Sequence, residues 1–139
     1  MKKRTHPRIL LIDREPWWAD DFFKRVLGQR GYRVEVEPDG ERALSRMGRH
    51  HYELVVLDSL SGGEDLGTLR TIRGRYPDIR VIVVSAAPSW RGARESFRLG
   101  AVDYLSKSYD EDKLIKSVEA ALASSPAERR SHDAKFGSH

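Results

Sequence analysis

Four polar residues of this chain end or follow short apolar runs, and together they could accept and bind a phosphoryl group. Asp13, Asp58 and Ser85 each close an apolar run, and Lys107 comes directly after another. A carboxylate can attack phosphorus, while a hydroxyl and an ammonium group can bind phosphoryl oxygens. A single aspartate in such a place is more often a helix cap or a turn residue. Four complementary groups in four such places favour one shared site.

The elements that must carry these residues follow from alternating apolar runs and amphipathic stretches. The runs predict five strands, at residues 8–13, 32–37, 54–58, 80–85 and 102–106. Amphipathic spacing predicts helices at about 16–30, from 39, about 65–76, about 89–99 and about 110–123. Uninterrupted apolar strands are typical of a parallel sheet covered on both faces. We therefore predict an α/β fold of the flavodoxin-like (βα)5 class, a doubly wound parallel sheet in strand order 2-1-3-4-5. All four polar residues would then meet at the carboxyl edge of the sheet.

Composition predicts one ordinary globular domain in a chain of 139 residues, at 1–123, followed by a tail or truncated linker at 124–139. The absence of cysteine excludes a disulfide framework and a thiolate metal site. No apolar run approaches the roughly 18 residues of a membrane span, so we expect a cytoplasmic protein. The net charge of +4 owes much to basic residues at both ends of the chain, which are usually just solvated.

Several motifs resemble those of the response-regulator receiver domains of two-component signalling. The likeness covers about residues 8–123 and rests on ILLID at 9–13, VVLD at 55–58, VIVVSA at 81–86 and GAVDYLSK at 100–107. The motifs are specific together, whereas any one of them alone is weak. The resemblance implies a phosphorelay signalling module and not an enzyme.

The resemblance also implies roles for individual residues. Asp58 matches the phosphoryl acceptor, and Lys107 matches the lysine that pairs with it. Ser85 matches the switch hydroxyl, and Tyr104 matches the aromatic residue that turns inward in the active state. A Mg²⁺ cofactor would be held by Asp13, Asp58 and the backbone of Leu60, with Glu15 as a further candidate ligand.

The partners that the resemblance implies are a histidine kinase or phosphotransfer protein and an effector domain or partner protein. The latter would bind through the face formed by the fourth helix, the fifth strand and the fifth helix. Trp90, Phe97 and Tyr104 lie in or near that face, so a weak homodimer is a further expectation there. No helix-turn-helix motif fits within the chain, and we expect neither direct nucleic-acid binding nor membrane binding by this domain.

Arg14 departs from the family, which usually has a second acid at this position for Mg²⁺. In one arrangement its guanidinium replaces the metal and pairs with Asp13 or Asp58, which would make the metal site degenerate. We favour this arrangement, because Mg²⁺ prefers oxygen ligands and little competing positive charge. In the other, Arg14 points to water and Glu15 replaces the lost ligand.

Three further departures concern the chain around the site. The loop after Asp58 lacks the usual apolar pair and Pro-Gly, and the first helix is about one residue longer than the family's spacing to Gly31. Ser108 follows Lys107 where the family has a proline in a cis peptide, so we predict a trans bond there. Two functions therefore stay open: a phosphorylation-switched receiver, and a pseudo-receiver that acts as an interaction module without phosphate. A flavin or nucleotide carrier on the same fold is the weakest alternative.

Overall fold

The structure, a computed structural model, describes residues 6–60 and 66–124. Within them the apolar runs form a five-stranded parallel sheet in the order β2-β1-β3-β4-β5. The strands are β1 (Arg8–Ile12), β2 (Arg33–Glu37), β3 (Leu54–Asp58), β4 (Arg80–Ser85) and β5 (Asp103–Ser106). The predicted fold class and strand order are confirmed. Residues 125–139 of the predicted tail at 124–139 lie outside the described residues, and so does the loop at 61–65.

Helices cover both faces of this sheet. Helix α1 consists of three successive segments, Pro16–Trp18, Ala19–Lys24 and Arg25–Gln29. The others are α2 (Gly40–Met47), α3 (Gly67–Arg75), α4 (Trp90–Arg98) and α5 (Glu111–Ala123). Side chains of Asp39, Ser89 and Asp110 cap the first turns of α2, α4 and α5 by accepting backbone N–H bonds. None of the helices in the described ranges combines the length and apolar character that a membrane span needs.

Two apolar layers hold the sheet in place. One lies between the sheet and helices α1 and α5, and the other lies between the sheet and helices α2 and α3. The central strand β3 is buried along its whole length. Because both faces of the sheet are covered, the carboxyl ends of β1, β3 and β4 are held at fixed relative positions.

Helix α1 is irregular, because its middle segment Ala19–Lys24 is π-helical. A π turn takes up more residues than an α turn, and such turns are often found at functional sites. The segment provides a place for the extra residue that the sequence suggests in this helix. Phe22 and Phe23 within it are buried, and so are Val26 and Leu27 after it.

A charged network surrounds Glu35, which lies in the middle of the edge strand β2. Its carboxylate accepts hydrogen bonds from Arg8 at 2.9 Å and from Arg46 at 3.0 Å, and another from the hydroxyl of Tyr52. Burial alone would raise the pKa of Glu35, but these three donors outweigh it and lower the pKa to about 2. Burial and the neighbouring carboxylate raise the pKa of Tyr52 to about 12.

This network predicts a loss of stability in acid. Since the pKa of Glu35 falls from 4.5 to about 2 on folding, its contribution is complete above pH 4.5 and is lost as pH falls towards 2. The shift corresponds to at most about 3 kcal/mol of unfolding free energy. We expect Glu35→Gln to be less stable than wild type at pH 7 and to approach it near pH 2 in urea titrations. The exposed Glu41→Gln is the control, and a gap that stays constant with pH would contradict the prediction.

Candidate functional site

The ammonium group of Lys107 lies among three carboxylates at the carboxyl edge of the sheet. Its Nζ lies 2.8 Å from Asp13 Oδ2, 2.5 Å from Glu15 Oε1 and 3.4 Å from Asp58 Oδ1. The side chains of Asp13, Asp58 and Lys107 are almost completely buried, whereas that of Glu15 is about one third exposed. We call these four residues the acid–lysine cluster.

Backbone hydrogen bonds fix the strand ends that carry the cluster. The N–H of Asp13 donates to the carbonyl of Glu37 at 2.9 Å, and the N–H of Lys107 donates to the carbonyl of Ser85 at 2.8 Å. The N–H of Glu15 donates to the carboxylate of Asp13 at 2.8 Å, which turns the chain back over the site. The residues of the cluster therefore come from the ends of β1, β3 and β5 and from the turn before α1.

The electrostatics of the cluster combine burial with charge pairing. Burial raises the pKa of Asp13, and the hydrogen bond to Lys107 offsets this only in part. The same lysine lowers the pKa of Glu15 by hydrogen bonding. For Lys107, burial acts to lower the pKa, but the bonds to Asp13 and Glu15 outweigh it and raise the pKa. The lysine is therefore charged at neutral pH and neutralises part of the negative charge of the site.

Two indole rings cover the ammonium group on the side away from the sheet. Lys107 Nζ lies 5.6 Å from the ring centroid of Trp17 and 5.3 Å from that of Trp18, within the range of cation–π attraction. Trp17 is 40% exposed and its ring centroid lies 5.9 Å from that of Tyr109. Trp18 is 2% exposed. Trp18 therefore belongs to the core, whereas Trp17 lies at the surface beside the acid–lysine cluster.

Arg14 lies outside the cluster. Its side chain is exposed, and it forms no ion pair with any residue in the described ranges. Glu15 faces the other acids instead, which corresponds to the second of the two arrangements considered from the sequence. Leu60 has an exposed side chain immediately before residues 61–65, and the role of its backbone as a metal ligand stays a prediction.

The three carboxylates fit a hard divalent cation. Asp13, Glu15 and Asp58 each offer a ligand oxygen, and these oxygens lie within 4.8 Å of one another. Carboxylate oxygens are the ligands that Mg²⁺ prefers. The same three carboxylates contact Lys107 in this structure, so an ion and the ammonium group would compete for the same negative charge.

The predicted switch residues lie on the neighbouring side of the site. Ser85 is the last residue of β4 and is buried. Its hydroxyl accepts a hydrogen bond from the N–H of Ala87 at 3.1 Å. The hydroxyl of Tyr104 accepts one from the N–H of Ser89 at 3.2 Å. A Cβ atom at Gly92 would lie 2.6 Å from the Tyr104 hydroxyl oxygen. The tyrosine therefore packs on α4 in a place that only a glycine leaves open.

Sequence reasoning missed one contact of the site. The indole N–H of Trp18 donates to the backbone carbonyl of Ser108 at 3.1 Å, across 90 positions of sequence. The apolar periodicity of α1 places Trp18 in the core but does not indicate which carbonyl its N–H would meet. The peptide bond between Lys107 and Ser108 is trans, as predicted, like all peptide bonds in the described chain.

Comparison with known proteins agrees with this fold. The sequence model of the response regulator receiver domain matches residues 9–119. The two-component response regulator PhoP of Pseudomonas aeruginosa is 29% identical over 116 residues, which are 83% of this chain and 51% of that protein. The transcriptional activator PfeR of the same organism is 34% identical over 120 residues, 84% of this chain and 38% of that protein. The chain thus spans about half, or less, of the length of these relatives.

Solved structures of response regulators have the same fold. A response regulator from Thermotoga maritima superposes with a TM-score of 0.79 at 28% identity, covering 86% of this chain and 99% of its own. The response regulator TrrA from the same organism, solved in complex with Mg²⁺ and BeF, has a TM-score of 0.72 at 30% identity. The match covers 83% of this chain and 98% of the TrrA chain. The chain belongs to the response regulator receiver domain family, which confirms the resemblance. It is therefore a signalling module of two-component systems.

Proposed function

We propose that this domain is a phosphorylation-switched receiver in which Asp58 accepts the phosphoryl group and Mg²⁺ is its cofactor. The observation that carries the proposal is the contact of Lys107 with Asp13, Glu15 and Asp58 at one sheet edge. This arrangement supplies a nucleophile, a cation for the phosphoryl oxygens and a set of ligands for a metal. Asp13, Glu15 and Asp58 would hold the metal, with the Leu60 carbonyl as the further ligand that the family suggests.

The proposed chemistry is a single displacement at phosphorus. A carboxylate oxygen of Asp58 forms a bond to phosphorus, while the bond from phosphorus to the donor's nitrogen or oxygen breaks and its electron pair leaves with the donor. Lys107 Nζ, 3.4 Å from Asp58 Oδ1, binds a phosphoryl oxygen, and the hydroxyl of Ser85 binds another. Bound Mg²⁺ would supply positive charge against the phosphoryl oxygens. A histidine kinase or phosphotransfer protein is the proposed donor.

The test is labelling by acetyl phosphate with and without Mg²⁺, measured by intact mass and by Trp17 and Trp18 fluorescence beside the cleft. We expect labelling of the wild type that requires Mg²⁺ and that disappears in Asp58→Asn. The control Asp78→Asn changes an aspartate near the opposite edge of the sheet and should label like the wild type. Wild-type protein that stays unlabelled at saturating Mg²⁺ and acetyl phosphate would contradict the proposal.

One observation favours the second candidate, a phosphorylation-independent pseudo-receiver. The ammonium of Lys107 already contacts the three carboxylates that Mg²⁺ would use. A metal must displace Lys107 from these carboxylates. If it cannot, the domain would act only as an interaction module, and labelling would fail in the wild type.

The proposed partner surface is the α4–β5–α5 face. Trp90 is 86% exposed at the start of α4, and it borders a cavity of about 380 Å³ together with Ala93, Arg94 and Phe97. An exposed aromatic residue at the edge of an apolar cavity is typical of a residue that anchors an interface. We place the effector domain or partner protein, and a weak homodimer, on this face.

Self-association through this face predicts concentration-dependent sedimentation. We expect the wild type to show a weak monomer–dimer equilibrium and Trp90→Ala to remain monomeric, because the anchor side chain is removed. Tyr109→Ala is the control, because it also removes an exposed aromatic side chain. Tyr109 is 64% exposed and packs beside Trp17 of α1. A wild type that is monomeric at all concentrations would argue against self-association.

A further inference from the structure

The loop that carries Lys107 is held from two sides. On one side the N–H of Lys107 donates to the carbonyl of Ser85 at the end of β4. On the other side the carbonyl of Ser108 accepts the indole N–H of Trp18 at 3.1 Å. The first bond belongs to the sheet, whereas the second joins the loop to the first turn of α1.

Trp18 is a rigid donor. It is buried, and its ring packs against Phe22 and Phe23 with centroid distances of 6.0 and 5.3 Å. A buried N–H that loses its acceptor is costly, so movement of the Ser108 carbonyl away from α1 is penalised. The position of the loop is therefore coupled to the position of α1.

The loop that carries Lys107 is not packed against other residues on its third side. A cavity of about 430 Å³ lies beside it and is lined by Trp18, Ser106, Ser108 and residues of α5. Because the loop faces open space there, its specific contacts are hydrogen bonds: the Ser108 carbonyl accepts from Trp18, and the Ser108 hydroxyl accepts from the N–H of Asp110 at 3.3 Å. The face of the same indole lies 5.3 Å from Lys107 Nζ, so one side chain contacts both the loop backbone and the ammonium group.

We propose that Trp18 is a positioning residue for Lys107, because its N–H fixes the loop through Ser108 and its ring keeps the ammonium group against the three carboxylates. Its relevance to phosphoryl transfer rests on the proposed function. The placement of Lys107 itself is tested separately, without phosphate or metal.

The test is the rate at which an amine-acylating reagent modifies Lys107, measured by peptide mass spectrometry with the exposed Lys116 as internal reference. Trp18→Phe keeps an aromatic ring in the core but removes the N–H. We expect Lys107 to be acylated about tenfold faster in this variant, as expected for the loss of one buried hydrogen bond. The same substitution at the remote, exposed Trp90 should leave the rate unchanged.

A second control separates positioning from general loosening of the fold. Ile72→Val lowers stability from the opposite apolar layer without touching the site. Equal acceleration of Lys107 acylation in Ile72→Val and Trp18→Phe would overturn the proposal, and so would an unchanged rate in Trp18→Phe. If Trp18→Phe does not fold, the proposal is tested in the wild type by the rate of hydrogen exchange at the indole N–H of Trp18. Exchange of Trp18 as fast as that of the half-exposed Trp17 would overturn the proposal.

A functional readout completes the experiment. Because Lys107 acts on the phosphoryl oxygens and the acids hold the metal, Trp18→Phe should slow acetyl-phosphate labelling about tenfold. Its Mg²⁺ binding should not weaken, because a loosened Lys107 competes less for the carboxylates. An equal loss in both quantities would overturn the positioning role. If the wild type is not labelled at all, the proposed function fails, while the acylation result still decides the role of Trp18.

Discussion

Lys107→Ala is expected to lose about 3 kcal/mol of unfolding free energy at pH 7, because it leaves buried carboxylates without their counter-charge. Asp13 and Asp58 are both buried, and the ammonium of Lys107 contacts both. Removing one partner of a buried charge pair costs more than the pair itself contributes. The measurement is urea denaturation in the presence of a chelator.

The same variant should respond strongly to Mg²⁺. Without the ammonium group, the carboxylates are free to bind the ion, so we expect Mg²⁺ to recover much of the lost stability of Lys107→Ala. Added Mg²⁺ should stabilise the wild type less, because its lysine competes for the same oxygens. Lys116→Ala, at an exposed position of α5, should stay within about 0.5 kcal/mol of the wild type. A Lys107→Ala variant as stable as the wild type without metal would show that the lysine does not neutralise the cluster.

The second large effect is expected at Glu15. Glu15→Gln removes one of the three proposed carboxylate ligands while keeping the size of the side chain, and we expect about tenfold weaker Mg²⁺ binding, or about 1.4 kcal/mol. Isothermal titration or tryptophan fluorescence measures the affinity. Glu119→Gln, an exposed acid of α5, is the control.

Arg14→Asp is the complementary variant. It replaces a positive charge near the site with the acid that the family usually has, so Mg²⁺ binding should become tighter. The guanidinium of Arg14 is exposed and screened by solvent, so a modest gain in affinity is expected. If Glu15→Gln binds Mg²⁺ like the wild type while Arg14→Asp binds it far more tightly, Glu15 is not the replacement ligand and the degenerate-site hypothesis is favoured.

The sheet could be predicted from sequence because its strands are nearly continuous apolar runs. Strands β3 and β4 have the predicted bounds, and β1, β2 and β5 differ by one residue at one end. The capping role of Asp39 and the left-handed backbone of Gly31 and Gly100 also follow from local residue type. These features depend on neighbours in sequence, which periodicity and residue type describe well.

The interior of the site could be predicted only in part, because it depends on contacts between distant segments. The strand-end positions of Asp13, Asp58 and Lys107 indicate a shared site, but not that Glu15 turns back to reach the lysine. The π-helical segment after Trp18 keeps both Phe22 and Phe23 buried. Such an adjustment depends on packing against the sheet, which no local pattern specifies.

The most direct test of the central claim is a crystal structure of the wild type grown with Mg²⁺ and beryllofluoride. We predict a beryllofluoride group bonded to a carboxylate oxygen of Asp58, a metal held by Asp13, Glu15 and Asp58, and Lys107 moved from the acids to the fluoride. Crystals in which Asp58 stays unmodified and Lys107 still contacts Asp13 and Glu15 would contradict the phosphorylation-switched receiver and favour the pseudo-receiver.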